Sequence, residues 1–179
     1  MKLIFMLILS GVFATKSYSQ ALMPEQKLKW YTLQEAEKLN QVQPKKFMID
    51  VYTDWCGWCK RMDESTFSHP LISKILIENY YPVKFNAETK DTIQFNGGEY
   101  INLGKTGRST HPLAVSMLGW HMSYPTIVYF TEKLEFLGPM PGYKTPDQLE
   151  VILQFIAQEK FRSMDMETFQ KTFVGQIPK

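Results

Sequence analysis

The chain has 179 residues, with 20 Lys and Arg against 18 Asp and Glu, 14% aromatic residues and only two cysteines. A formal charge of +2 gives no basic surplus for a nucleic acid or an anionic membrane to recognise. The length and aromatic content suit one ordinary domain with room for a core.

The first residues read as an address. Lys2 supplies a positive start, Leu3 to Ala14 is an apolar run, and the small residues Ser17 and Ser19 follow. Residues 1–19 are therefore expected to be a secretory signal peptide, although cleavage after Ala21 fits as well. The run is about 12 residues, short of the roughly 20 that span a bilayer, so no stable membrane insertion is expected after cleavage. An uncleaved anchor is the alternative. Removing Lys2 and Lys16 leaves the remaining chain, residues 20–179, near neutrality.

Leu28 to Tyr31 reads as a short strand, and Thr32-Leu33-Gln34-Glu35 as a capping box opening a helix to about Val42. Pro44 ends that helix, and Phe47 to Tyr52 is a buried strand. It runs straight into Trp55-Cys56-Gly57-Trp58-Cys59-Lys60. A helix starting at the cysteines is broken by His69-Pro70. A helical stripe then covers Leu71 to Asn79, and a strand Tyr81 to Phe85. Residues 87–120 read as an insertion. It comprises a hairpin about Asn96-Gly97, a loop from Gly104 to Arg108, and a helix from Pro112 to Leu118. Ile127 to Phe130 and Leu134 to Leu137 form a further hairpin, followed by a loop over Gly138–Gly142. Thr145 caps a last strong helix with Leu149, Ile152, Leu153 and Ile156 on one face. Residues 161–179 form an extension with a short helix around Phe169 and Phe173, and its docking is open.

An exported protein is free to use structural disulfides, yet this chain has only Cys56 and Cys59. A loop of about four residues restricts the unfolded chain little, so the pair is better explained by chemistry than by stapling. Cys56 falls at a helix start, where unpaired N–H groups favour a thiolate. Cys59 lies one turn on, placed to attack a mixed disulfide on Cys56. A closed zinc site needs four ligands, and His69, His111 and His121 are scattered along the chain. No cofactor is expected beyond the cysteine pair.

The run Asp50 to Lys60, together with Thr66-Phe67-Ser68, Pro70 and Tyr124-Pro125-Thr126, resembles thioredoxins. It is closer to the periplasmic C-terminal domain of the Dsb-type transmembrane thiol reductase. The resemblance covers about 45–86 and 122–160 and implies an α/β thioredoxin fold: a central mixed sheet flanked by helices, with the insertion before a cis-proline loop. It implies a thiol–disulfide oxidoreductase in which Cys56 attacks and Cys59 resolves. Asp50 then matches a buried carboxylate that moves the Cys59 proton, and Lys84 the lysine beside it. Pro125 matches the cis-proline facing the cysteines, leaving the Tyr124 backbone to pair with an extended substrate, and Trp55 the flanking contact surface. A strand-end Asp50 in water, a trans Pro125 and a purely structural Trp55 are the plain alternatives.

Trp58 stands where thioredoxin has proline and joins Trp55, Tyr124 and Pro125 as a candidate substrate contact. No histidine lies between the cysteines, and Asp54 adds negative charge beside them. Both favour a reductant. The expected partners are exported proteins with disulfides and a membrane thiol carrier as electron donor, in a periplasmic or other extracytoplasmic compartment. An oxidase or isomerase using the same pair, and a non-catalytic binding or metal-delivery module, are the competing readings. Within the insertion, Tyr100, His111, Trp120 and His121, with Tyr124 beyond it, are either a specificity element or packing residues, and His121 is a candidate partner of the site.

Overall fold

A computed structural model describes residues 27–120 and 122–178; the leader reading and the reading of His121 fall outside them. Four strands form a mixed sheet in the order β2-β1-β5-β6: β1 (Lys46–Tyr52), β2 (Tyr80–Asn86), β5 (Thr126–Phe130) and β6 (Phe136–Pro141). β1 runs parallel to β2 and antiparallel to β5, and its middle residue, Asp50, sits between Lys84 and Ile127. The strands lie between two layers of helix. α1 (Leu33–Asn40) and α4 (Pro112–Leu118) cover one face, with the small hairpin β3 (Ile93–Phe95) and β4 (Gly98–Tyr100). α2 (Gly57–Met62), α3 (Pro70–Asn79), α5 (Pro146–Ala157) and α6 (Met166–Thr172) cover the other.

Alternation along β1 explains the central strand. Phe47, Ile49 and Val51 enter the α1/α4 core, whereas Met48 and Asp50 point to the α2/α3/α5 side. Both faces are covered, which is why the sequence there is a nearly continuous apolar run. Asp50 is the one charge between Phe47 and Tyr52.

Several local expectations change. Leu28 to Tyr31 does not form a strand: Tyr31 alone bridges Val83, its N–H donating to Pro82 O at 2.9 Å, because the chain turns at Thr32 to cap α1. α1 stops at Asn40 rather than Val42, since the Asn40 side chain accepts from Lys45 N–H and donates to Glu132 O. The Gly138–Gly142 loop is strand as far as Pro141. Pro139 and Pro141 lack N–H groups but lie on the edge strand, where none is needed on the open side. After Met62 the helix widens into a π-helical turn over Asp63–Phe67.

The hairpin forms about Asn96 (φ 50°) and Gly97 (φ 75°), as an Asn-Gly turn with two left-handed residues requires. It is no appendage: Phe95 is buried against Phe47 and Phe130, with ring centroids 6.0 and 5.3 Å away. The C-terminal extension is docked. Glu150, buried on α5, accepts from Gln176 N–H at 2.8 Å and Ile177 N–H at 3.0 Å, and Phe169 packs on Phe155.

Candidate active site

Cys56 is the N-cap of α2, its sulfur accepting from the Cys59 N–H at 3.1 Å. The two cysteines form a disulfide, S–S 2.05 Å, and only 5% of Cys56 is exposed. Strand β1 ends at Tyr52 and α2 begins at Gly57, so the pair occupies the strand-to-helix junction the sequence indicated.

Tryptophans flank the pair. Trp55 is 55% and Trp58 61% exposed, unusual for the largest side chain and unnecessary for packing. The Trp55 indole N–H donates to the Glu88 carboxylate at 3.0 Å, and its ring meets Tyr124 edge-on at 6.0 Å. The Arg108 guanidinium lies 5.9 Å from the Trp55 ring centroid, so the loop after the hairpin reaches this side of the site. Trp58 leans instead on Tyr143 at 5.5 Å, from the β6–α5 connection. The Tyr124–Pro125 bond is cis.

On the strand leading into the motif, Asp50 is 1% exposed. Burial pushes its carboxyl up to about 6, against the opposing pull of the Lys84 charge. Lys84 Nζ donates to Asp50 Oδ2 at 2.5 Å and also to Asp63 Oδ1. Its ammonium lies 4.6 Å from the Trp30 ring centroid and 5.3 Å from those of Tyr52 and Phe67. Burial opposes the Lys84 charge, but the two carboxylates outweigh it and hold its pKa above the usual value. The plain alternative of a solvated Asp50 at a strand end is thereby excluded.

The structure thus brings Asp50 to Lys84 and Trp55 to Tyr124, and sets Trp58 apart on Tyr143. Two of the three histidines act as helix caps. His111 Nδ1 accepts from Leu113 N–H and, in the tautomer this assigns, Nε2–H faces Asp91 O; His69 Nδ1 accepts from Leu71 N–H. Burial lowers the His111 pKa. Tyr100 packs against the hairpin side of the core, and Trp120 stands in solvent. Sequence reasoning missed Asp63, Glu88, Arg108 and Tyr143. Asp63, one helical turn beyond Cys59, was within reach of a spacing argument. The others arrive from distant loops and carry no local signal.

The family model of the thioredoxin-like domain matches residues 33–157, and the chain belongs to that family. A Cys-x-x-Cys disulfide at the strand-to-helix junction of this fold makes it a thiol–disulfide oxidoreductase. It is 34% identical over 102 residues to the thiol:disulfide interchange protein DsbD of Haemophilus ducreyi, a match spanning 47% of this chain and 17% of that protein. The chain spans half or less of the length of the curated relatives it matches. Among solved structures, a thioredoxin from Thermus thermophilus has a TM-score of 0.54 at 19% identity, covering 73% of this chain and 88% of that one. A DsbH oxidoreductase has 0.53 at 17%, covering 79% and 92%. At these identities the likeness speaks for the fold.

Proposed function

We propose that the chain is an exported reductant of protein disulfides. The Cys56 thiolate attacks a substrate disulfide, forming a Cys56–substrate bond and expelling the other substrate sulfur as a thiolate that takes up a proton. Asp50 accepts the Cys59 proton. Cys59 sulfur then bonds to Cys56 sulfur and displaces the second substrate thiol, so the substrate gains two electrons and the protein ends as the disulfide. The observation that carries this reading is the buried Asp50 carboxyl, held near 6 beside Lys84 on the strand that enters the motif. A group of that pKa is ionised at neutral pH yet basic enough to take a thiol proton.

Trp55, Trp58, Tyr124 and Pro125 form the substrate contact surface, with the backbone at Tyr124 pairing an extended segment across the exposed indoles. Glu88 places a carboxylate on the Trp55 indole, and Asp54, exposed, directly precedes Trp55 in the chain. Their negative charge disfavours the thiolate and hence the dithiol state, against the opposing pull of Arg108 on the same indole, and a destabilised dithiol is the stronger electron donor. Similarity to the interchange protein supports a membrane thiol carrier as the source of electrons. The leader reading supports export.

The test is equilibrium of the Cys56–Cys59 pair against glutathione buffers, read by thiol alkylation. A potential near that of thioredoxin, about −270 mV, supports the reductant, and one near about −120 mV turns the assignment to disulfide donation. N-terminal sequencing of protein recovered outside the cytoplasm tests export.

A further inference from the structure

Asp50 has two carboxylate oxygens and the ion pair serves one. Oδ2 accepts from Lys84, whereas Oδ1 is fully buried and has no hydrogen-bond partner among the described residues. An unpaired buried acceptor is costly, and a second such group lies nearby: the Tyr129 hydroxyl is also completely buried and unpartnered. Strand register relates the two. Asp50 is opposite Ile127 and Met48 opposite Tyr129 in the antiparallel β1–β5 pair, so Asp50 and Tyr129 are diagonal neighbours on the same face. Diagonal positions are about 7–8 Å apart at Cα, within reach of an aromatic side chain and one intervening water. The chemistry is complementary, since a phenol offers the O–H that a carboxylate oxygen needs.

We propose that Tyr129 is a positioning residue for the proton acceptor, its hydroxyl donating through one bound water to Asp50 Oδ1 and favouring the ionised carboxylate. The inference rests on the reading of Asp50 as the group that takes the Cys59 proton. A hydrogen bond to a charged oxygen is roughly twice as strong as one to a neutral oxygen, so the donor favours Asp50 ionised over Asp50 protonated. Burial, and after it the Asp50 charge, raises the Tyr129 pKa above its ordinary value, so the phenol keeps its proton and remains a donor at working pH. The arrangement answers a deficiency in the ion pair, because Lys84 divides its protons between Asp50 and Asp63.

The charged and titratable groups around this carboxylate are few. Lys84 faces it from β2, Asp63 from the turn after α2, Tyr52 from β1 itself and Tyr129 from β5. Tyr80, 6.4 Å from Tyr129 between ring centroids, spends its hydroxyl on Leu153 O, and Glu150 on α5 is turned to the C-terminal extension. Tyr129 is the fully buried tyrosine donor on this face without a partner among the described residues; the unpartnered Thr53 hydroxyl lies beyond the end of β1, and Tyr52 is only half-buried.

The experiment is a carbon-13 NMR titration of the Asp50 carboxyl in the oxidised protein and in Tyr129→Phe, which needs no turnover. The expected result is an upward move of the Asp50 midpoint by about one pH unit, a tenfold change in its proton affinity. The pH profile of disulfide exchange should move with it, and Tyr129→Phe should add nothing in an Asp50→Asn background. An unchanged or lowered midpoint overturns the proposal. In that case Tyr129→Phe merely removes an orphaned hydroxyl, and a neutral or higher stability is its only signature. If the protein shows no exchange at all, the function fails while the titration still decides the Tyr129 contact.

Discussion

Replacing Asp50 by Asn should make the folded protein more stable at neutral pH while removing the proposed proton acceptor. The carboxyl lies at about 6 in the folded state against an ordinary value of 3.8, so the folded protein binds this proton more tightly than the unfolded chain. Stability linked to Asp50 is therefore fully present below about pH 3.8, lost progressively as the pH rises, and gone above about 6. A difference of about two pKa units corresponds to about 3 kcal/mol, a large share of the 5–15 kcal/mol typical of a domain. Asparagine copies the neutral carboxyl and escapes this loss. Urea denaturation of the two oxidised proteins from pH 3 to 8, taken as a difference so that other groups cancel, should show curves that coincide at low pH. They should separate between about pH 4 and 6 and stay a constant distance apart above it. At about 2 kcal/mol/M that distance is roughly 1.5 M urea. In exchange assays the same variant should lose about 10²- to 10⁴-fold in the Cys59 step, and with it the limb of the pH profile near 6. A stability difference independent of pH would refute the reasoning, because it would mean that Asp50 titrates in the folded protein as it does in water.

Further outcomes follow from the packing. Phe95→Ala should cost about 3–5 kcal/mol in equilibrium unfolding, since the ring is buried between Phe47 and Phe130; a cost below about 1 kcal/mol would mean that the hairpin is not part of the core. Glu150→Ala should free the C-terminal extension, lowering stability by about 1–3 kcal/mol and opening the chain to limited proteolysis beyond Asp165 while leaving the redox potential unchanged. Cys59→Ser should accumulate mixed disulfides on Cys56, visible by mass after acid quenching, and Cys56→Ser should accumulate none.

The main elements were legible because their signals are local. A buried strand, a Cys-x-x-Cys junction, the Thr32 and Thr145 helix starts and the Asn96-Gly97 turn each depend on residues within a few positions of one another. What was misread depended on position in the sheet. The Gly138–Gly142 segment carries turn residues and still forms strand, because an edge tolerates Pro139 and Pro141. Leu28 to Tyr31 has strand-like residues but reaches the sheet at Tyr31 alone.

By itself the sequence determined where the chemistry sits, Cys56 and Cys59 at the end of a buried strand, and through family resemblance it named Asp50, Lys84 and Pro125. Tertiary structure decided what those residues experience. The pKa of Asp50 depends on how completely the fold buries it and on Lys84 being shared with Asp63, neither of which is written in β1. The walls of the site, Glu88, Arg108 and Tyr143, come from three separate connections, and only the folded sheet brings them to the tryptophans. The physical reason is range: capping, turns and strand alternation act over a few residues, whereas burial and electrostatics are sums over whatever the fold happens to bring close.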